Sequence, residues 1–117
     1  MTIQELNNTY YFHDSSITGI KYSKEQGKLD ISIVFCYWAQ KWYIEGEPEL
    51  MDIKLSLEGV KDYDGIIGDI DYFSIIECDI QDDKLHLIVE DGFHQECFEY
   101  YLNPSNVEVK ILRTYNE

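Results

Sequence analysis

Strict two-residue alternation of apolar and polar side chains, restarting after almost every turn-forming cluster, constrains this chain more than any other feature. In residues 28–37, Leu29, Ile31, Ile33, Phe35 and Tyr37 fall on one face, and Lys28, Asp30, Ser32 and Cys36 on the other. Side chains of an extended strand point alternately to opposite faces, so this is a strand with one face in a core and one in water. Residues 52–58 repeat the pattern with Ile53, Leu55 and Leu57, and residues 84–90 with Leu85, Leu87 and Val89. Residues 95–102 align Phe98, Tyr100 and Leu102, and residues 107–111 align Val107, Val109 and Ile111. With the less regular segments 17–22 and 72–80, seven strands are predicted.

The connectors at 23–27, 46–49, 81–83, 91–94 and 103–106 are short and polar. Links of this length join antiparallel neighbours, since a parallel crossover needs about a dozen residues or more. A mostly antiparallel meander follows, with no strand partner far along the chain. Helical signals are confined to one turn at 2–7, with Thr2 as N-cap and Glu5 three residues on, and a short turn within 60–70. Neither covers a sheet face, so the sheet must pack on itself. The expected fold is a single all-β domain over residues 1–117, a two-layer sandwich or a half-barrel. The residues after Leu112 are expected to fray.

Composition enters through charge. Nine basic against 23 acidic residues give a net charge of -14, yet 44% of residues are apolar and 15% aromatic, which is too rich for a disordered chain. A phosphate backbone would be repelled, so nucleic acid is set aside as a partner. The longest apolar stretch, 31–39, is about half of a membrane span, and no signal peptide is visible, so no membrane partner is expected and the compartment is read as the cytoplasm. Cys36, Cys78 and Cys97 are odd in number and widely spaced within apolar or strand-like runs, the pattern of reduced core or sheet thiols rather than a disulfide framework.

The acidity is uneven. Residues 62–99 hold twelve acids and one base, Lys84. Neighbouring strands must then place carboxylates within a Debye length of about 10 Å of one another, which destabilises the fold. A negative surface that captures a basic partner would offset that cost, and Asp62, Asp64, Asp69, Asp71, Asp82, Asp83, Glu90 and Asp91 are the candidate acidic binding residues. Residues 37–43 pack four aromatics into seven positions. Read as a strand, they place one tryptophan in the core and the other over the sheet edge; the alternative is an aromatic platform of Trp38, Trp42 and Tyr43.

Tyr10-Tyr11-Phe12-His13-Asp14-Ser15 sets an acid/base pair beside a hydroxyl, but consecutive side chains diverge and cannot form a hydrolytic triad. Asp14 or Ser15 is expected to cap a turn, and His13 to make one bond that fixes the N-terminal segment on the sheet. No spacing among His13, His86, His94 and Asp14 requires a metal site, and Asp62-Tyr63-Asp64-Gly65 lacks the glycine position and closing glutamate of a calcium loop. No cofactor, metal or catalytic residue is assigned, and the chain reads as a binding protein rather than an enzyme.

The Phe12-His13-Asp14-Ser15 element, followed by Ile17, Ile20, an alternating strand, a tryptophan-bearing segment and Ile53–Val60, resembles small uncharacterised bacterial proteins that begin with an F-H-D-S element, some of them similar to toxin-immunity proteins. The resemblance implies a binding protein, and no catalytic role comes with it. The leading expectation is an immunity-type inhibitor that occludes a basic protein partner, such as a toxin that cuts nucleic acid. The alternatives are a small-ligand or enzymatic site using His13 and the 37–43 aromatics, and homo-oligomerisation through an open strand edge.

Overall fold

The computed structural model describes residues 1–115, and every alternating segment forms a strand, except that Tyr37 falls in a 3₁₀ turn after its strand and Gln95 in the turn before its own. The elements are helix α1 (Ile3–Thr9), β1 (Ser16–Ser23), β2 (Lys28–Cys36), a 3₁₀ turn (Tyr37–Ala39), β3 (Leu50–Glu58), β4 (Gly68–Gln81), β5 (Lys84–Asp91), β6 (Glu96–Leu102) and β7 (Asn106–Tyr115). All seven strands belong to one open antiparallel sheet, in the order β6-β5-β4-β1-β2-β3-β7. Within it lie two three-stranded meanders. Asp82 and Asp83, with φ of 52° and 60°, form the two-residue β4–β5 hairpin turn, where short polar residues tolerate the left-handed conformation.

Two pairings depart from the expectation that every partner is near in sequence. β4 pairs with β1 instead of β3, and β7 pairs with β3 instead of β6. The connector 59–67 makes the first crossing feasible: its extended reach of about 30 Å exceeds the roughly 14 Å between strands three positions apart. The second constrains the shape of the whole sheet. In a flat sheet the outermost strands, β6 and β7, would stand about 29 Å apart. They are joined by Asn103, Pro104 and Ser105 alone, and the link from Leu102 to Asn106 spans at most about 14 Å. The sheet must therefore curl until its edges approach each other at that end, which makes it the half-barrel of the two expected architectures.

Curling lets the sheet bury one continuous apolar face. Ile17, Leu29, Ile33, Phe35, Ile53, Leu57, Ile75, Leu85 and Val89 are almost wholly buried and belong to one hydrophobic cluster. Helix α1 adds Ile3 and Leu6 and touches both β4 and β7. Its start is the predicted one. Thr2 Oγ1 accepts the Glu5 N–H at 3.1 Å, and Glu5 Oε1 accepts the Thr2 N–H at 3.0 Å. The helix runs two residues past the expected turn, whereas the turn expected within 60–70 is irregular chain entering β4. β7 continues to Tyr115 instead of fraying after Leu112, because β3 pairs along its length and Tyr115 Oη donates to Asp52 at 2.8 Å. Residues 116 and 117 lie outside the described residues. No helix among the described residues is long and apolar enough to cross a membrane.

The closing link is held against β3 where Ser105 N–H donates to Glu58 O at 2.8 Å. Gly59 follows at φ 77°, and a Cβ there would fall 2.4 Å from Ser105 Oγ. Gly59→Ala is therefore expected to cost about 1–3 kcal/mol, combining left-handed strain with the steric conflict, and the shift in the urea midpoint measures it.

Candidate functional site

Strand order divides the charge. β1, β2, β3 and β7 carry four acids (Asp30, Asp52, Glu58, Glu108) against five bases (Lys21, Lys28, Lys54, Lys110, Arg113). The other edge of the sheet, β4 to β6 with the hairpin turn, carries ten acids (Asp69, Asp71, Glu77, Asp79, Asp82, Asp83, Glu90, Asp91, Glu96, Glu99) and Lys84 alone. A single meander in chain order would have placed β3 and its charges beside β4. The observed order sets the near-neutral β1 there and leaves the acidic strands together as the three outermost strands on one side of the sheet.

The candidate carboxylates surround this region without converging on one point. Asp69 and Asp79 are separated by ten positions of β4, about 33 Å of strand. Asp62 and Asp64 lie in the loop before β4, and Asp82 and Asp83 serve as turn formers. Asp91 is engaged internally. It is nearly buried at the end of β5, accepts the Phe93 and His94 N–H groups, and bonds His94 Nδ1 at 2.7 Å. The His94 hydrogen bond holds the Asp91 carboxyl below the usual aspartate range.

On the outer face, opposite the core, cross-strand pairing aligns Asp79, His86 and Tyr101. The alternation of residues 84–90 turns His86 away from the face of Leu85, Leu87 and Val89, and it lies on that outer face, but only 2% of it is exposed. Asp79 Oδ1 lies 2.7 Å from Nδ1 and Glu99 Oε2 2.6 Å from Nε2, and the Tyr101 ring stacks on the imidazole at 4.8 Å. Burial alone would lower the His86 pKa; the hydrogen bonds to the Glu99 and Asp79 carboxylates, with their charges, outweigh it, and the net shift is upward. With a carboxylate at each ring nitrogen, His86 bridges β4, β5 and β6. Strand alternation places His86 outward, but nothing in the sequence spacing reveals two carboxylates on neighbouring strands. Glu77, Asp79 and His86 each bring one ligand atom within 4.8 Å of the others, so these three could hold a divalent cation. A metal there would compete with the contact between Nδ1 and Asp79.

The F-H-D-S element splits by burial. Phe12 and Ser15 are inside; Ser15 Oγ accepts the Cys36 N–H at 3.0 Å. His13 is half-buried and Asp14 exposed; the His13 ring makes the expected bond, Nδ1 to Ile76 O at 2.6 Å, and its Nε2 also lies 3.4 Å from Asp14 Oδ1. The segment 37–43 is a 3₁₀ turn followed by irregular chain instead of a strand, so its aromatics are not divided between two faces. Both Trp38 and Trp42 are exposed, contrary to the expected core tryptophan, while Tyr37 takes the buried place and packs edge-to-face on Trp42 and Tyr43. Gln40, which the sequence reading missed, ties this corner to the N-terminal segment. It accepts the Tyr11 N–H at 2.8 Å and donates to Tyr11 O at 2.7 Å and Cys36 O at 2.9 Å.

Two clefts open beside that corner. One, of about 400 Å³, is lined by Tyr10, Tyr11, Gln40, Lys41 and Trp42. The other, of about 440 Å³, is lined by His13, Glu77, Cys78 and Asp79. The three thiols are free. Burial pushes the Cys36 thiol up and the partly buried Cys78 up to about 12, which disfavours the reactive thiolate in both. Cys97 is a sheet thiol on β6, and alternation turns it to the outer face, exposed. No protein-family model, curated protein or solved structure matches the chain.

Proposed function

We propose that this protein binds a basic protein through the β4–β6 edge of its sheet and acts by occlusion. The division of charge supports this reading above all: one edge gathers ten acids with one base, while the remaining strands are close to neutral. Such a surface attracts a positive partner over long range, raises the encounter rate and repels like-charged competitors. An immunity-type role fits the same chemistry, because a toxin that cuts nucleic acid must be basic to hold its substrate.

The test is capture of partners at low salt, elution by raised salt, and association kinetics of the eluted protein. The association rate is expected to fall by about tenfold or more from 50 to 500 mM salt. An affinity indifferent to ionic strength would overturn the reading. The clefts beside Trp42 and His13 favour a second reading, a small-ligand site. Ligand-induced changes in tryptophan emission, abolished in Trp42→Ala, would support that alternative.

A further inference from the structure

Tyr72 and Phe93 are 70% and 66% exposed, yet their rings meet edge-to-face with centroids 4.4 Å apart. Neither belongs to the core cluster. They meet where the start of β4 approaches the turn between β5 and β6. β4 bulges there. Ile17 pairs with Phe73 and Gly19 with Asp69, so Ile70, Asp71 and Tyr72 together stand opposite Thr18. The bulge leaves Tyr72 at φ 60°, in the left-handed region that favours glycine and strains a bulky residue. Gly92 N–H donates to Tyr72 O at 2.8 Å, and a Cβ on Gly92 would lie 3.0 Å from that oxygen. The turn therefore sits directly against the bulge, which brings Phe93 onto Tyr72.

The fold thus keeps two large rings in water, one of them on unfavourable backbone, and gains little buried area from either. Carboxylates adjoin them: Asp71 precedes Tyr72, and Glu96 pairs with Asp91 two residues before Phe93, the Asp91 carboxylate itself being taken up by the turn. Ring faces carry negative electrostatic potential, and the acids extend it. A flat cation matches both, stacking on a ring while its N–H groups reach carboxylate oxygens. Guanidinium has that shape and is more weakly hydrated than an ammonium.

We propose that the Tyr72–Phe93 pair is the anchoring point for an arginine side chain of the basic partner, with the adjoining carboxylates orienting its guanidinium. The proposal rests on the basic-partner reading above and names where the contact is specific rather than merely attractive.

The experiment titrates the intact protein with arginine-rich and lysine-rich decapeptides of equal charge at 50 mM and 500 mM salt, and records a thermal melt of each variant. The arginine peptide is expected to bind several-fold tighter than the lysine peptide. Tyr72→Gly and Phe93→Ala should each weaken arginine-peptide binding about 5–10-fold and erase the arginine preference. Tyr72→Gly should also melt at or above the wild-type temperature, since glycine relieves the left-handed strain. A packing role predicts the opposite, and a lowered melting temperature in Tyr72→Gly would overturn the proposal. Salt-sensitive binding of both peptides that neither variant alters would overturn the anchoring point and leave the basic-partner reading standing. Failure of wild type to bind either peptide even at low salt would overturn both.

Discussion

Phe12→Ala is expected to remove about 3–5 kcal/mol of stability, a large part of the roughly 5–15 kcal/mol typical of a domain, and to shift the denaturant midpoint accordingly. The reason lies in how the F-H-D-S element enters the sheet. Asp14, at φ 67°, bends the chain so that its N–H donates to Ile75 O at 3.0 Å, and Ser15 then exchanges with β4 through Ile75 N–H to Ser15 O at 2.8 Å. That bend turns the Phe12 ring inward, where it lies 5.4 Å from Phe35 and 6.0 Å from Tyr10. Its loss opens a cavity between the start of β1 and the end of β2 that surrounding backbone cannot close without breaking those bonds. Ser15→Ala should cost less, about 1–3 kcal/mol, by leaving the Cys36 N–H without its acceptor, and His13→Ala under about 1 kcal/mol. The opposite ranking, with Phe12→Ala tolerated and His13→Ala severe, would make the element a reactive site instead of a structural clip.

The strands were legible because each is a local pattern: alternation at Leu29–Phe35 or Ile53–Leu57 states both that a strand exists and which face is buried. Which edges meet is not local. The pairing of β1 with β4 depends on the reach of the 59–67 connector and on closing the core, and neither leaves a mark in periodicity. The same limit explains the sites. Asp79, His86 and Glu99 belong to three strands, and their register is set by bulges and turn lengths, so their meeting required the fold. Tyr72 and Phe93 were read as ordinary strand and turn residues, because a left-handed Tyr has no sequence signature. The crowding of acids within 62–99 was legible, since consecutive antiparallel strands keep sequence neighbours adjacent in space.

His86→Leu is expected to destabilise the protein by about 1–3 kcal/mol near pH 6. The full 3–5 kcal/mol seen on breaking a buried ion pair is discounted because solvent reaches both partners, with Asp79 and Glu99 side chains 33% and 51% exposed. Leucine preserves packing against Tyr101 but leaves Asp79 and Glu99, with Glu77 close by, to repel across β5. The pH dependence has a definite sign. The folded-state pKa of His86 lies above its unfolded value near 6.5, so the folded protein binds the proton more tightly. The contribution is therefore fully present below about pH 6.5 and is lost as pH rises through the higher folded value. Urea unfolding of wild type and His86→Leu at a series of pH values should show the gap between them greatest on the acid side and narrowing on the alkaline side. Asp79→Asn in the His86→Leu background should recover part of the loss, because one of the two repelling carboxylates is then gone. A gap that stays constant with pH, or widens toward alkaline pH, would mean that His86 sits neutral between its neighbours and that the acidic edge lacks its internal counter-charge.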